Sequence, residues 1–301
     1  MDSEELNSML DSWLLHLRAE RKSAQTIKTY GDGVRRFMAW AEAAEVEPTL
    51  TRPTVNAFIA GILDDGNGVQ ASTARSRQLA LRRMSAWLKD EGEIETDELA
   101  GLKPPKLDSK IVPELTDDQL RGLITACKGA DFRERRDEAI VRLMTETAAR
   151  AGEVVAMTLP DVDLKEGLVA VRRGKGGKGR MIPVGPQTVR AIDRYLRLRR
   201  SHRLAQAGSS LLWLGDRGKG FTYYGLYSAL LYRAELAGVE DFHPHVLRHT
   251  AAGRWLARGG SEGGLMAIAG WTRREMVDRY TRATSERRAA DEARSLGLGD
   301  L

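Results

Sequence analysis

The chain has 301 residues, of which 42% are hydrophobic and 30% are charged. This length is enough for two domains, and a single compact core of this size would be less usual. The single cysteine, Cys127, excludes an internal disulfide framework, and its apolar helical surroundings predict a buried side chain. No segment approaches the ~20 apolar residues of a membrane span, and the N-terminus has no basic-then-apolar signal pattern. We therefore expect a cytoplasmic protein without a membrane partner.

The charge is modestly basic, because 47 lysines and arginines against 42 acidic residues leave a formal net charge of +5. This value alone is a weak indication of a nucleic-acid partner. Its distribution is more informative, since basic residues crowd at 75–89, 172–180 and 190–203. The clustering predicts that positive charge lines particular faces.

The first part of the chain predicts four helices. Apolar residues recur at three- and four-residue steps within 6–17 and 27–41, and Ser23 is a candidate N-cap between them. Pro53 predicts the start of a third helix, and Ser72 is a candidate cap for a fourth. Four helices with short connections predict a small bundle.

A change of composition divides the chain. The run Leu102-Lys103-Pro104-Pro105-Lys106, with paired prolines flanked by lysines, is typical of an extended linker. We predict a helical domain at 1–95, a linker at 96–113 and a second domain at 114–301.

The second domain begins with Thr116-Asp117-Asp118-Gln119, a pattern typical of a capping box. Alternating β-branched segments at 167–172 and 180–184 predict a hairpin, whose turn is rich in glycine and lysine. Helical patterns cover 116–127, 135–147, 186–203, 222–237, 245–258 and 261–269. The predicted fold class is mainly α with a small β-sheet, a four-helix domain followed by a mixed α/β domain.

A scattered set of side chains in the second domain indicates phosphodiester chemistry without a metal. Such a reaction needs a nucleophile, cations that neutralise the developing charge, and an acid that protonates the leaving oxygen. Arginine suits the cationic role because its planar fork contacts two phosphate oxygens together. His245 precedes Arg248 by three positions, which places both on one face of a helix. The candidates are Arg150, Lys175, His245, Arg248, Trp271 and Tyr280.

Each candidate also has an ordinary structural interpretation when taken alone. His-x-x-Arg is commonly a surface pair, the Gly174–Gly179 run can be a flexible hairpin tip, and Trp271 or Tyr280 can belong to a core. A phosphate loop of the Walker type is disfavoured, because no serine or threonine follows the lysine. The conjunction of the residues, in this order, is therefore the evidence.

A zinc site is a competing interpretation of the same region. His243, His245 and His249 lie within seven residues. Asp241 is the one nearby acid, no cysteine is close in sequence, and Arg248 would repel a metal ion. These features make the metal interpretation the weaker one.

The order and spacing of the candidates resemble those of the tyrosine recombinase (lambda-type integrase) family. The family's Thr-Gly-x-Arg motif corresponds to Thr147-Ala148-Ala149-Arg150, which lacks the glycine, and Glu153 matches the acid three residues on. The family's hairpin lysine matches Lys175, and its nucleophile matches Tyr280.

Two further family positions lie between the hairpin and the nucleophile. The His-x-x-Arg-His block matches His245, Arg248 and His249. Trp271 fills a position that is histidine in most members; it cannot transfer a proton as histidine does, but its indole N–H can donate to a phosphate oxygen. The resemblance covers nearly the whole chain, because the N-terminal bundle resembles the family's SAM-like core-binding domain.

The resemblance implies a mechanism. Tyr280 attacks the scissile phosphate and forms a 3′-phosphotyrosyl link, while Lys175 protonates the leaving 5′ oxygen. A free tyrosine has a pKa of about 10. The role implied for Arg150, Arg248 and His245 is to favour the phenolate over the phenol and to stabilise the charged transition state. We expect Glu153 and His249 to act indirectly, through these groups. No nucleotide, metal or other cofactor is implied.

The resemblance also implies partners. We expect double-stranded DNA carrying a specific recombination site, and a homo-tetramer that holds two duplexes. Contacts between protomers would use the tail from Thr281 to Leu301, and accessory factors for DNA bending or directionality are possible partners. Tentative DNA-binding residues are Arg75, Arg77, Arg82, Arg83 and Lys89 on the fourth helix, and Lys178 in the hairpin.

Several functions remain compatible with this pattern. The interpretation placed first is a phage or mobile-element integrase that acts as a site-specific recombinase in the nucleoid. A Xer-like resolvase of chromosome or plasmid dimers is the main alternative. A non-catalytic DNA-binding regulator on the same fold is less favoured, because Arg150, Arg248 and Tyr280 are all present. A type IB topoisomerase shares the chemistry, but the N-terminal helical bundle argues against it.

Overall fold

The computed structural model describes residues 3–64, 69–107, 113–172, 179–216, 218–281 and 294. The chain divides into two compact units, Met1–Lys110 and Ile111–Leu301. The predicted linker at 96–113, and the domain limits set by it, stay predictions. Among the described residues, no helix is both long enough and apolar enough to cross a membrane.

The first unit contains the four predicted helices: α1 (Ser3–Ala19), α2 (Ala24–Ala43), α3 (Arg52–Asp64) and α4 (Ala71–Asp90). Their apolar faces meet in one core, whose largest fully buried side chains include Trp13, Phe37 and Phe58. The predicted bundle is therefore confirmed.

The ends of these helices test the capping predictions. Ser23 caps α2 as expected, its hydroxyl accepting a hydrogen bond from the backbone N–H of Thr26 at 3.1 Å. The predicted cap Ser72 is wrong, because α4 begins earlier and its N-cap is Gln70. Along α2, Gly33 allows a close approach to α4, since a Cβ there would lie 2.8 Å from the Cβ of Ala80.

The second unit is mixed α/β, which confirms the predicted fold class. Its described elements are α5 (Asp117–Ala126), α6 (Phe132–Thr147), α7 (Ala151–Val155), a 3₁₀ turn (Leu159–Asp161), β1 (Val162–Asp163), β2 (Leu168–Val171), β3 (Arg180–Pro183), α8 (Pro186–Arg199), α9 (Arg203–Gln206), α10 (Tyr223–Leu236), α11 (Pro244–Ala257), α12 (Glu262–Ala269) and α13 (Glu275–Thr281). The strands form an antiparallel sheet in the order β1-β2-β3. The β2–β3 hairpin was predicted, whereas β1, α7, α9 and α13 were not.

Helix α6 lies at the centre of the second unit, and its C-terminal end is part of the candidate site. It packs against α8 and α11, and Ile140, Leu143 and Met144 are fully buried. The predicted capping box at the start of α5 is confirmed: Gln119 N–H donates to the Thr116 hydroxyl at 3.1 Å, and Thr116 N–H donates to the Gln119 side chain at 2.9 Å. The packing of α6 against α11 therefore fixes the end of α6, which precedes Arg150, relative to the helix that carries His245 and Arg248.

Candidate active site

Among the candidate residues that the structure describes, Arg248 is the most deeply buried. It lies on α11 with 2% of its surface exposed. Its Nη1 donates to the carbonyl oxygen of Ala148, and its Nη2 donates to that of Ala269 at 2.9 Å. Two backbone carbonyls from separate elements therefore fix the plane of the guanidinium before any ligand binds.

The electrostatic environment of Arg248 is set mainly by its burial. Burial lowers its pKa to about 10, and the charge of Arg150 acts in the same direction, whereas Glu153 and Tyr280 oppose the shift. The guanidinium is therefore still cationic at neutral pH. A buried guanidinium held by two neutral carbonyls is suited to receive an anion such as a phosphate.

The carbonyl of Ala148 depends on an unusual backbone conformation. Ala148 ends α6 with φ of 51° and ψ of 21°, in the left-handed region that glycine adopts most easily. The family motif has glycine at this position. The alanine that stands where the family motif has glycine therefore has a positive φ, and the backbone adopts this conformation with alanine in place.

Arg150 follows that turn and is the N-cap of α7. The Glu153 carboxylate accepts a hydrogen bond from the Arg150 backbone N–H at 2.9 Å and another from its Nη1 at 2.9 Å. The side chain of Arg150 retains 29% exposure. Glu153 therefore positions this arginine while leaving part of its guanidinium accessible.

Glu153 also binds Arg180, a residue that the sequence analysis did not select. Arg180 Nη2 lies 2.7 Å from Glu153 Oε2, and its Nη1 lies 3.2 Å from Oε1. Burial raises the pKa of Glu153, but hydrogen bonds from Arg180 and from the Arg150 backbone lower it, and the net pKa lies below its ordinary value. Arg180 ends the Gly- and Lys-rich run and pairs with Val171 at the turn end of the hairpin; its position directly after this run was the signal that the sequence offered.

Tyr280 lies on α13 and is buried to 7% exposure. Its ring stacks on that of Trp271, with centroids 5.3 Å apart and planes 20° apart, and its hydroxyl forms a hydrogen bond with His249 Nδ1. The Arg248 guanidinium carbon lies 5.2 Å from the centroid of the Trp271 ring. Tyr280, Trp271, His249 and Arg248 are thus brought together.

His245 and the indole N–H of Trp271 also belong to the predicted site. His245 is exposed in the first turn of α11, and its ring meets that of His249 edge-on, with centroids 4.5 Å apart. Trp271 Nε1 is buried and has no hydrogen-bond partner among the described residues. A buried donor without an acceptor is costly, and a phosphate oxygen would satisfy it.

Two lysines and the fourth-helix cations complete the predicted set. Lys175 and Lys178 lie outside the described residues; the hairpin is described up to Arg172 and again from Gly179. On α4 of the first unit, the exposed candidates are Arg75, Arg83 and Lys89, and the partly buried ones are Arg77 and Arg82.

The zinc interpretation gains no support from the geometry. Among the residues that the structure describes, no group of three or more histidine, cysteine, aspartate or glutamate side chains is placed to hold a metal ion. His249 pairs instead with the Tyr280 hydroxyl.

The second unit therefore places a tyrosine hydroxyl beside an imidazole and near arginines fixed by protein groups. A tyrosine hydroxyl, an imidazole and arginines grouped in this way can bind a phosphate ester beside the tyrosine. Residues 113–287 match the model of the phage integrase family, and residues 10–92 match that of the phage integrase N-terminal SAM-like domain. The chain belongs to this family and is a tyrosine recombinase, an enzyme of site-specific DNA recombination.

One relative and two solved structures are similar to this chain. The chain is 34% identical over 267 residues to tyrosine recombinase XerC of Pseudomonas aeruginosa strain PAO1, covering 86% of this chain and 84% of the relative. The crystal structure of XerA recombinase is 27% identical with a TM-score of 0.52, covering 92% of this chain and 93% of the other. A lambda integrase tetramer bound to a Holliday junction is 18% identical with a TM-score of 0.67, covering 89% and 77%; this likeness shows the fold.

Proposed function

We propose that this tyrosine recombinase is a Xer-like resolvase that separates chromosome or plasmid dimers at a specific DNA site. The support is the identity to XerC, at 34%, and to XerA, at 27%. The sequence analysis placed a phage or mobile-element integrase first, whereas the relative at 34% identity is a XerC recombinase. Sequence identity therefore favours the Xer-like resolvase over the integrase.

The proposed chemistry uses Tyr280 as the nucleophile. Its oxygen bonds to the scissile phosphorus as the bond from phosphorus to the 5′ oxygen breaks, which leaves a 3′-phosphotyrosyl link. His249, whose Nδ1 forms a hydrogen bond with the Tyr280 hydroxyl, accepts the proton. This contact gives His249 a more direct role than the sequence analysis proposed. The observation that carries the proposal is the pair of Tyr280 contacts: its hydroxyl forms a hydrogen bond with His249, and its ring stacks on that of Trp271.

Charge stabilisation comes from the residues around the tyrosine. Arg248 and Arg150 contact the non-bridging phosphate oxygens, and the unpartnered Trp271 N–H donates to one of them. His245, exposed at the start of α11, is placed to meet a ligand from solvent. Lys175 protonates the leaving 5′ oxygen, so that a partner strand's 5′-hydroxyl later reverses the step.

The proposed partner is double-stranded DNA, bound through both domains. The α4 cations and Lys178 contact phosphates. The assembly is a homo-tetramer on two duplexes; the lambda integrase structure is of a tetramer on a Holliday junction, and we extend that arrangement to this chain as a proposal. Tail contacts between protomers also stay a prediction, because Arg294 is the one described residue beyond Thr281. We propose that the enzyme works in the cytoplasm, at the nucleoid.

The test is covalent capture on randomly nicked genomic DNA from the source. A nick near the cleavage point lets the short 5′-hydroxyl fragment leave, which traps the covalent complex. Wild type should enrich one locus after denaturation, whereas Tyr280→Phe should bind DNA and capture none. Tyr224→Phe, which alters an exposed tyrosine on α10, is the matched control and should capture normally.

The captured locus separates the candidate functions. A chromosomal or plasmid site without mobile-element genes supports dimer resolution, whereas an attachment site beside such genes supports an integrase. Equal capture by Tyr280→Phe would refute the proposed nucleophile. Specific DNA binding without any capture would favour the non-catalytic regulator.

A further inference from the structure

The carboxylate of Glu153 is shared between Arg150 and Arg180. Its Oε1 accepts a hydrogen bond from Arg150 Nη1 at 2.9 Å and another from Arg180 Nη1 at 3.2 Å. Its Oε2 accepts one from the Arg150 backbone N–H at 2.9 Å and another from Arg180 Nη2 at 2.7 Å. Each carboxylate oxygen is thus bonded to both arginines.

The side chains of the two arginines have different surroundings. The Arg180 side chain is 10% exposed, and its Nε donates to the carbonyl oxygen of Ile268 at 2.7 Å, so all three of its nitrogens are bonded to protein groups. The Arg150 side chain is 29% exposed, and its guanidinium binds Glu153 through Nη1. Of the two, Arg150 is therefore the one with guanidinium surface left for a ligand.

The guanidinium of Arg180 is also packed against the turn after α12. Gly270 has a φ of 65°, and a Cβ at that position would lie 2.9 Å from Arg180 Nη1. Glycine is therefore favoured there both by its backbone conformation and by the closeness of the guanidinium. Because Arg180 is enclosed in this way, we expect it to stay paired with Glu153 when a ligand binds.

The charges of this cluster do not cancel. Two guanidinium groups and one carboxylate leave a net charge of +1. The Glu153 side chain is 6% exposed, so solvent screens these charges weakly. Burial raises the pKa of Glu153, and the hydrogen bonds from the Arg180 side chain are the strongest influence that lowers it. A buried two-bond pair of this kind is stronger than a single bond, so the negative charge of Glu153 is balanced chiefly by Arg180.

We propose that Arg180 is a positioning residue whose buried charge neutralises Glu153, so that the positive charge of Arg150 stays available to the scissile phosphate. This inference rests on the proposed function, in which Arg150 contacts the non-bridging phosphate oxygens. Without Arg180, Glu153 would pair with Arg150 alone, and the cluster would be neutral where the phosphate binds. Because Arg180 is bonded to protein groups, it acts through Glu153 and Arg150 and not by touching the phosphate.

The test measures covalent-complex formation with saturating enzyme, on a duplex of the captured locus that carries a nick beside the cleavage point. The variants are Arg180→Met, Arg180→Lys, Glu153→Gln and the double variant Glu153→Gln/Arg180→Met. Arg180→Met removes one positive charge from the cluster, and Glu153→Gln removes the negative charge. The double variant therefore has the same net charge as wild type, and it should rescue the single Arg180→Met variant.

The expected result is a rescue by charge. Arg180→Met should form the covalent complex about a hundredfold more slowly, the loss typical of removing one group that stabilises charge in the transition state. The double variant should recover to within about tenfold of wild type, since the lost hydrogen bond to Ile268 is not restored. Arg180→Lys keeps the charge without the fork, so its loss should also be below about tenfold.

Two controls show whether the rescue is specific. Glu153→Gln alone should not accelerate the reaction, because the buried Arg180 then loses its counter-ion. Arg172→Met removes an arginine from Asp161, another buried carboxylate of the second unit, and should react at the wild-type rate. A double variant as slow as Arg180→Met would overturn the proposal, because it would indicate a structural role for the fork. An unchanged rate for Arg180→Met, or an equal loss for Arg172→Met, would overturn it as well.

A further comparison separates this inference from the proposed function. Arg150→Ala should be at least as slow as Arg180→Met, and adding Arg180→Met to it should cause little further loss, because both changes remove the same interaction. If wild type forms no complex, or if Arg150→Ala reacts normally, the proposed function fails. If those two behave as expected and the Arg180 variants do not, this inference alone fails.

Thermal unfolding shows whether each variant folds. If Arg180→Met alone does not fold, the double variant decides the question, because it leaves no buried carboxylate without a counter-ion. A rate within about tenfold of wild type then supports the proposal, since a single hydrogen bond accounts for such a loss. A larger loss then overturns it.

Discussion

The site arginines of the second unit and the exposed α4 arginines of the first unit are held in opposite ways. In the second unit, Arg248 is 2% exposed and Arg180 has a side chain 10% exposed, and both are bonded to backbone carbonyls or to Glu153. In the first unit, Arg75 and Arg83 on α4 are exposed. The same residue type is thus fixed before binding in one region and solvated in the other.

This difference has an energetic meaning. A fixed guanidinium does not reorganise when charge develops at the phosphate, so its contribution appears in the transition state. An exposed arginine contributes to affinity by releasing counterions from DNA, which makes its effect dependent on salt. Two separate measurements, the rate of the bound complex and the salt dependence of binding, should therefore distinguish the two regions.

Replacement of the Arg248 guanidinium should reduce the rate of covalent-complex formation more than replacement of any other arginine. Arg248→Lys keeps the charge but cannot bind two carbonyls and a phosphate together, so covalent-complex formation at saturating enzyme should fall about a thousandfold. Arg258→Lys, at the exposed end of the same helix, should cleave normally. A loss below tenfold for Arg248→Lys would show that the buried fork is not what the transition state uses.

Removal of exposed α4 cations should have an intermediate effect, on binding alone. For the double variant Arg75→Ala/Arg83→Ala, the slope of log affinity against log salt should fall by roughly 1.8, about 0.9 for each lost phosphate contact. The cleavage rate of the saturated complex should stay at the wild-type value. Titrations at several salt concentrations measure the slope.

The control for that experiment is Arg121→Ala, since Arg121 is an exposed arginine on α5 that already pairs with Asp118. Its slope should match that of wild type. An unchanged slope in the α4 double variant would mean that these arginines form a solvated face without DNA contact.

The sequence predicted what depends on local pattern and missed what depends on long-range contacts. The bundle, the hairpin and the capping box at Thr116 follow from periodicity and turn chemistry. The short elements α7 and α13 carry too few residues for a periodic signal, although they present Arg150 and Tyr280. Whether the predicted site residues act as proposed stays open to the experiments above.

Pairings between individual residues of the site could not be predicted from the sequence either. The bond between Arg180 and Glu153 joins residues 27 positions apart, and the sequence offers no local rule for it. Likewise, His249 reaches the Tyr280 hydroxyl only because α11 and α13 pack together. Pairings of this kind emerge from tertiary packing, which places side chains that local propensity leaves unrelated.

The smallest expected effect concerns Ala148, whose carbonyl accepts a hydrogen bond from Arg248. For Ala148→Gly, relief of the left-handed strain stabilises by about 1–2 kcal/mol. The freer unfolded chain costs about 0.4–1 kcal/mol, and the lost buried methyl costs about 0.8 kcal/mol. These terms nearly cancel, so the free energy of unfolding from urea titration should change by less than about 1 kcal/mol, with cleavage unchanged.

Ala148→Val completes this series because it keeps the position apolar while adding a β-branch where φ is positive. It should destabilise the second unit by about 2 kcal/mol or more, through backbone strain and overpacking. It should also slow cleavage, because the Arg248 fork loses a correctly placed carbonyl. If valine were tolerated as well as glycine, the turn would not be what fixes Arg248, and the contrast between the fixed and the solvated arginines would have to rest on Ala269 and Glu153.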